Sequence, residues 1–335
     1  MRSESIMMDL ILQTAIKNPD VRAVIMNGSR VNPNARKDPF QDYDLVYLVP
    51  EVEPYRRNSA IPPTFGEIMI LQLPDDMIEP PPGDQRSYAY LMQFMDGTRI
   101  DLTFAPLEDA SLYVEDTLSV VLLDKDNRFP PLPPPSDRGY LPSLPTAKAF
   151  DDCCNEFWWL NPYVAKGLWR GELTYARYML DTHMRDMLMK MLTWYFGMQT
   201  CWEKSPGKLG KYLRPGIGEE FWHLLEQTYA DADPEHTWQA LFTMDELFRR
   251  AATAVPTRRR RVRRRSGPSV WSASECPVVR CNRAAAHRPR PSASDRPTVA
   301  APRDSGHSPA RGSPISDGRK CWRKKARPPR APPAD

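Results

Sequence analysis

Apolar residues Ile6, Met7, Leu10, Ile11 and Ala15 recur at steps of three and four and stop at Asn18-Pro19, which predicts an amphipathic helix early in the chain. The period then changes. Short runs rich in β-formers follow, "VRAVIMN", "YDLVYLV" and "EIMILQL", and after them "YAYLMQF" and "TRIDLTFA" flank Asp96-Gly97. Asp-Gly between two such runs is a hairpin signal. A further run, "SVVLLD", precedes "NRFPPLPPPSDRGYLPSLP", whose prolines neither donate to a ladder nor continue a helix. Residues 1–135 are therefore expected to form a mixed α/β sheet domain, with a boundary near residues 130–145.

From Thr146 to about Val255 the spacing is helical, in "AKAFDDCCNEFWWLNPYVAKGLW", "ELTYARYMLDTHMRDMLMKMLTWYFG", "GEEFWHLLEQTYADA" and "PEHTWQALFTMDELFRRAA". Apolar and aromatic residues at that spacing predict a helical bundle over residues 146–255, so the fold class is α+β. From Pro256 the composition turns to Arg, Pro, Ser and Ala, with no Leu, Phe, Tyr or Met, leaving no material for a core. Residues 256–335 are expected to be disordered.

Charge divides at the same place. The net charge of +4 combines 21 Lys and Arg against 5 acids in residues 256–335 with 25 against 37 in residues 1–255. Partners must therefore be argued separately for an acidic body and a basic tail. Clustered arginines in "RRRRVRRR" neutralise phosphates with little sequence demand, so the tail predicts at most nonspecific, salt-dependent nucleic-acid binding. No run approaches the roughly 20 apolar residues of a membrane span, and the N-terminus lacks the apolar core of a secretory signal. A soluble cytoplasmic protein is the default expectation. The six cysteines are scattered, with Cys153 and Cys154 adjacent, which suggests free thiols and neither a disulfide framework nor a zinc pair.

The chemistry concentrates in "VIMNGSRVNPNARKDPFQDYDLVYLV". Side chains alternate along a strand, so Asp42 and Asp44 present both carboxylates on one side, about 7 Å apart along the backbone and free to converge on a cation. Asp101 lies inside the otherwise apolar "RIDLTF", where a carboxylate is costly unless it is paired or reaches solvent. Three hard oxygen donors without supporting His or Cys point to Mg²⁺, which completes its shell with phosphates and water. Gly28-Ser29, following "AVIMN", can offer a phosphate close backbone approach, an N–H and a hydroxyl. In-line displacement at phosphorus, with a nucleoside triphosphate as the natural second ligand, is the chemistry these parts suit, and the reaction class is nucleotidyl transfer. Asp-x-Asp recurs at Asp124/Asp126 and Asp231/Asp233, where solvated turns explain it; the order strand, Gly-Ser, polar loop, Asp-x-Asp, later acid sets the first apart.

The blocks "AVIMNGSRVNPNARKDPFQDYDLVY", "RIDLTF", "LLDKDNRFP" and "DDCCNEFWWLNPYVAKGLWRGEL" resemble the aminoglycoside 6-adenylyltransferases, the streptomycin adenylyltransferases of resistant bacteria, over about residues 1–255. The resemblance implies a nucleotidyltransferase-fold first domain, a helical second domain, and transfer of AMP from Mg-ATP to a streptomycin hydroxyl. It implies roles too: Gly28 and Ser29 on the triphosphate, Asp42 and Asp44 on Mg²⁺, and Asp101 as third metal ligand or as base. The alternatives are another acceptor, such as a different aminoglycoside or a lincosamide, and an inactive nucleotide- or nucleic-acid-binding protein.

A polycationic drug needs carboxylates and aromatic faces. On a helix Asp152, Glu156 and Trp159 share a face while Trp158 points about 100° away; core tryptophans beside a solvated acidic face explain the pattern equally well. Lys166 and Arg170, four apart, are candidates to reach ATP phosphates across a cleft, although bases at that spacing are ordinarily just exposed. The Met-rich stretch reads as core filler, and His183, His223 and His236 stand alone without metal-ligand spacing. After "ELFRRAA" the family continues with another amphipathic helix, whereas this chain turns to "VPTRRRRVRRRSGPSVW", as a GC-rich gene read in a shifted frame would.

Overall fold

The structure, a computed structural model, describes residues 1–79 and 86–257 and divides into two compact units, one from Met1 to Gly139 and one from Tyr140 onward. The tail from residue 258, with its nucleic-acid and shifted-frame readings, lies outside the described residues.

The first unit opens with helix α1 (Glu4–Lys17), which starts at Ser3, whose hydroxyl accepts the Ile6 N–H at 3.4 Å. Capping by Ser satisfies one of the orphan donors of the first turn. Strands β1 (Ala23–Asn27) and β2 (Tyr43–Val49) come next, then the single turn α2 (Ile61–Thr64) and strands β3 (Ile68–Gln72), β4 (Tyr88–Phe94) and β5 (Arg99–Pro106). The short helix α3 (Ala110–Val114) and strand β6 (Ser119–Asp124) complete it. Gly97, at φ +84°, makes the β4–β5 turn at Asp96-Gly97, a conformation that a side chain would oppose.

The six strands are ordered β3-β4-β5-β2-β1-β6, with β2 and β5 parallel and all other neighbours antiparallel. Alternation gives the sheet two unlike faces. On one, Val24, Met26, Tyr43, Leu45, Tyr47, Tyr90 and Leu102 are among the residues that pack with Met7, Ile11 and Ala15 of α1. The Tyr47 hydroxyl donates to the Ile11 carbonyl at 2.6 Å and pins the helix there. Each fully buried side chain of this kind stabilises the fold by about 1.5–3 kcal/mol, so this face carries the unit's stability. The other face holds a smaller cluster, Ala23, Ile25, Val46, Leu48 and Ala105, covered by Ala110, Tyr113 and Val114 on and beside α3. That cover is narrow, and the sheet beyond it is left to polar side chains. Edge strand β3, apolar in sequence, exposes Met69, Ile70 and Leu71.

Among its described residues the second unit is built of helices: α4 (Ala147–Arg170), α5 (Leu173–Tyr178), α6 (Arg185–Gln199), α7 (Arg214–Gln227) and α8 (Pro234–Ala254). Thr146 caps α4 by accepting the Ala149 N–H at 3.1 Å, and Gly171 ends it in the left-handed conformation at φ +71°. A π-helical segment, Met179–Met184, joins α5 to α6 without a break. The core includes Phe157 stacked on Phe248 at 3.8 Å, with Met184, Leu188, Met191 and Leu192 fully buried, so the Met-rich stretch is indeed packing. Buried within the bundle, the Asn161 amide donates to Asp245 at 2.5 Å. Burial pushes the Asp245 carboxyl up to about 7, against the opposing pull of Asn161 and Arg249. Cys153, Cys154 and Cys201 are free thiols, and among the described residues no helix is long and apolar enough to cross a membrane.

Candidate active site

Strand pairing builds the site. Ser119 of β6 lies opposite Asn27 of β1, Asn27 opposite Asp44 of β2, and Asp44 beside Asp101 of β5. Residues paired across a ladder point to the same side, so these four form one polar row crossing four strands on the face away from α1. Asp42, two residues before Asp44, stands on that side at the mouth of β2. The Asn27 amide is fixed within the row, donating to Ser119 Oγ at 2.5 Å and to the Tyr113 carbonyl at 3.2 Å. Asn27 and Ser119 escaped the sequence reading, because only register reveals what stands beside an acid.

Gly28 makes room for the row. Its φ is +86°, and a Cβ placed there would sit 2.1 Å from Asp44 Oδ2. No side chain fits that space while the carboxylate stays where it is. The Gly28 N–H donates to the Leu118 carbonyl at 3.1 Å, so the donors available to a phosphate at this turn come from Ser29. The chain then enters a turn, with Asn32 N–H on the Ser29 carbonyl at 3.3 Å, and not a helix, so no helix dipole adds to the site at this point.

Two arginines organise the acids, and neither was marked out by motif. Arg30 is 8% exposed; it lies 3.8 Å over the Tyr43 ring and donates to the main-chain carbonyls of Gln41 at 2.5 Å and Asp42 at 3.4 Å. With the Gln41 amide donating to the Ser29 carbonyl at 3.1 Å, this ties the two ends of the Gly28–Asp42 loop together. Arg99 and Asp101 are two residues apart on one side of β5. The guanidinium grips the carboxylate with both arms, Nε to Oδ1 at 2.8 Å and Nη2 to Oδ2 at 3.0 Å, and its Nε lies 3.8 Å from Asp42 Oδ2. Asp101, and after it Asp42 and Asp44, hold the Arg99 guanidinium firmly charged. The signal for both was "GSR" and "RID", one arginine directly after the Gly-Ser pair and the other two residues before the later acid.

The remaining candidates lie in the second unit. Asp152, Glu156 and Trp159 are exposed on one side of α4, Trp159 by 65%, and Asp152 pairs with Lys148 one turn earlier. Trp158 is half-buried instead, edge-on to Phe157 and Phe248, with the Arg249 guanidinium 5.7 Å from its ring. Lys166 stands exposed 5.9 Å from the Tyr163 ring, and Arg170 lies 3.9 Å from Glu172. His236 pairs with Asp231 at 3.0 Å and His223 lies 3.8 Å from Glu226, both on the surface.

Among the described residues no three His, Cys, Asp or Glu side chains are gathered into a metal cage; the cation drawn to Asp42 and Asp101 is Arg99. The donor chemistry nevertheless fits a hard divalent ion. The acids at its β2–β5 end offer hard carboxylate oxygens, with Asp44 and Asp101 side by side in register, next to the space at Gly28. A mixed sheet that sets such a row beside a Gly-Ser turn belongs to a nucleotidyltransferase.

Similarity to known proteins narrows this class to a family. Residues 1–260 match the family described as Streptomycin adenylyltransferase, and the chain belongs to it. It is 39% identical to an aminoglycoside 6-adenylyltransferase of Bacillus subtilis (strain 168) over 257 residues, 76% of this chain and 90% of that protein. Similar proteins of the same name from Campylobacter jejuni, at 38%, and Staphylococcus aureus, at 34%, match 76% and 74% of this chain and 88% and 89% of theirs. A crystal structure of an aminoglycoside 6-adenyltransferase from Bacillus subtilis matches at 35% identity over 76% of this chain and 90% of that one, with a TM-score of 0.35.

Proposed function

We propose that this enzyme transfers AMP from ATP to a hydroxyl of streptomycin, releasing pyrophosphate and inactivating the drug. The carrying observation is the row Asn27, Asp44, Asp101 in register on adjacent strands, with Asp42 at its mouth and Gly28 against Asp44. Mg²⁺, held by Asp42 and Asp44, would shield the triphosphate charge and favour departure of pyrophosphate. The acceptor oxygen forms its bond to the α-phosphorus as the bond from that phosphorus to the β-phosphate's bridging oxygen breaks. Ser29 meets the triphosphate with its N–H and hydroxyl, where Gly28 allows close approach.

Asp101 either accepts the proton of the attacking hydroxyl or serves as the third metal ligand. Asp101→Asn separates these roles: loss of turnover with Mn²⁺ affinity kept assigns the base, and loss of both assigns the ligand.

Lys166 and Arg170 are proposed to contact the ATP phosphates. Asp152 and Glu156 are proposed to meet the guanidinium groups of the drug, with Trp159 as a stacking face and Trp158 contributing only through its exposed edge. Support for this group comes from the exposure of Asp152, Glu156 and Trp159 on a common side of α4.

The test is pyrophosphate release from Mg-ATP with streptomycin, other aminoglycosides, a lincosamide and no acceptor, in wild type and Asp44→Asn. Release that needs streptomycin and vanishes in the variant is expected. Release with a different acceptor alone would reassign the substrate, and none with any acceptor would overturn the reading.

A further inference from the structure

Arg99 is the residue that motif-level reasoning leaves without a role, yet it occupies the centre of the acid group. Its fork takes both oxygens of Asp101, at 2.8 and 3.0 Å, while the same Nε approaches Asp42 Oδ2 at 3.8 Å. A guanidinium that bridges two carboxylates of one cation site does electrostatically what a divalent ion would do there: it lowers the mutual repulsion of acids crowded at a sheet end. The two cations cannot both hold the same lone pairs. Arg99 is also free to leave, since 38% of its side chain is exposed, and it sits at the first position of β5, next to the Asp96-Gly97 turn.

We propose that Arg99 is the resident counter-ion of the acid row and that Mg²⁺ enters by displacing it from Asp42 and Asp101. This rests on the reading of Asp42, Asp44 and Asp101 as the metal site. The consequence is a built-in competition: without metal the guanidinium offsets the repulsion between the acids, and metal affinity is set partly by the strength of one arginine fork. Once displaced, the guanidinium swings toward solvent on the open side of the sheet.

Competition makes a definite prediction for metal binding, independent of turnover. Mn²⁺ titrations followed by electron paramagnetic resonance, without nucleotide, should show Arg99→Gln binding several-fold tighter than wild type. Arg99→Lys, which keeps a charge but loses the fork, should fall between them. In wild type labelled with ¹⁵N-arginine, one Nε–H resonance, identified by its loss in Arg99→Lys, should be protected from exchange without metal and shift or broaden with saturating Mg²⁺. Equal or weaker Mn²⁺ binding by Arg99→Gln, or an Arg99 resonance indifferent to Mg²⁺, overturns the displacement while leaving the metal site standing. Mn²⁺ binding that is absent from wild type and both variants, even with ATP present, overturns the metal site and the proposal with it. The resonance is read in wild type and either Arg99→Lys or Arg99→Gln suffices to identify it, so one variant that fails to fold does not protect the idea.

Discussion

Gly28→Ala tests how closely the site is built. The new Cβ would stand 2.1 Å from Asp44 Oδ2 and 3.0 Å from its Cγ, where contacts between non-bonded atoms settle near 3.5 Å. More than an ångström of overlap leaves one outcome, rotation of the Asp44 carboxylate out of the row. Holding alanine at φ +86° costs roughly 1–2 kcal/mol, and turning Asp44 off its rotamer about 0.5–1.5 more. The folded state survives that loss of about 2–3 kcal/mol, and the melting temperature should drop by several degrees. Activity should suffer far more, because displacing one group by about 1 Å can cost on the order of a hundredfold. Pyrophosphate release at saturating ATP and acceptor would measure it. Gly218→Ala is the control: φ there is +81°, but nothing lies within 4 Å of its Cβ, so it carries positive-φ strain of its own without the clash. The argument fails if Gly28→Ala turns over within threefold of Gly218→Ala.

Other expectations concern residues around and away from the row. Arg30→Leu removes the ties to the Gln41 and Asp42 carbonyls; turnover should fall and the KM for ATP rise, and Arg30→Lys should not rescue either, because an ammonium cannot reproduce the fork. Unchanged kinetics in both variants would show the loop to be held by other means. For Asp245 the folded carboxyl sits at about 7, above its ordinary value of 3.8, so the folded state binds the extra proton. Stability is therefore undiminished at low pH, falls as pH rises between about 4 and 7, and stays reduced above. Asp245→Asn should raise the melting temperature at pH 8, by a stabilisation on the order of 2–4 kcal/mol, with the gain shrinking toward pH 5. Thermal melts at pH 5, 6, 7 and 8 read it, and a gain independent of pH would refute the burial argument.

Much of this fold was legible in the chain. "YDLVYLV", "YAYLMQF" and "SVVLLD" coincide with β2, β4 and β6, since β-branched and aromatic residues bounded by turn formers leave little alternative. Asp42 and Asp44 stand out as candidates by their Asp-x-Asp spacing at a strand start, and Asp101 by the cost of a carboxylate inside an otherwise apolar strand. Their adjacency could not be read there, for the parallel pairing of β2 with β5 joins residues far apart in sequence and no local spacing encodes it. The same blindness hid Asn27 beside Asp44, and made Arg30 and Arg99 look like ordinary surface bases. In β3 the apolar run "IMILQ" suggests burial, yet Met69, Ile70 and Leu71 are exposed, because an edge position decides exposure and is a property of the whole sheet. On α4 the helical period separated Trp158 from Trp159 correctly but could not say which of them the core would claim.

The parallel pairing of β2 with β5 has a consequence for the birth of the protein. A ribosome adding roughly 5–20 residues per second delivers β2 several seconds before its partner, and for that interval "YDLVYLV" has one uncovered edge of the kind that recruits other chains. Charge on such an edge discourages promiscuous pairing. Asp42 and Asp44 stand at its leading end, so the acids proposed here to hold magnesium in the finished enzyme would first serve the nascent chain as its gatekeepers against aggregation.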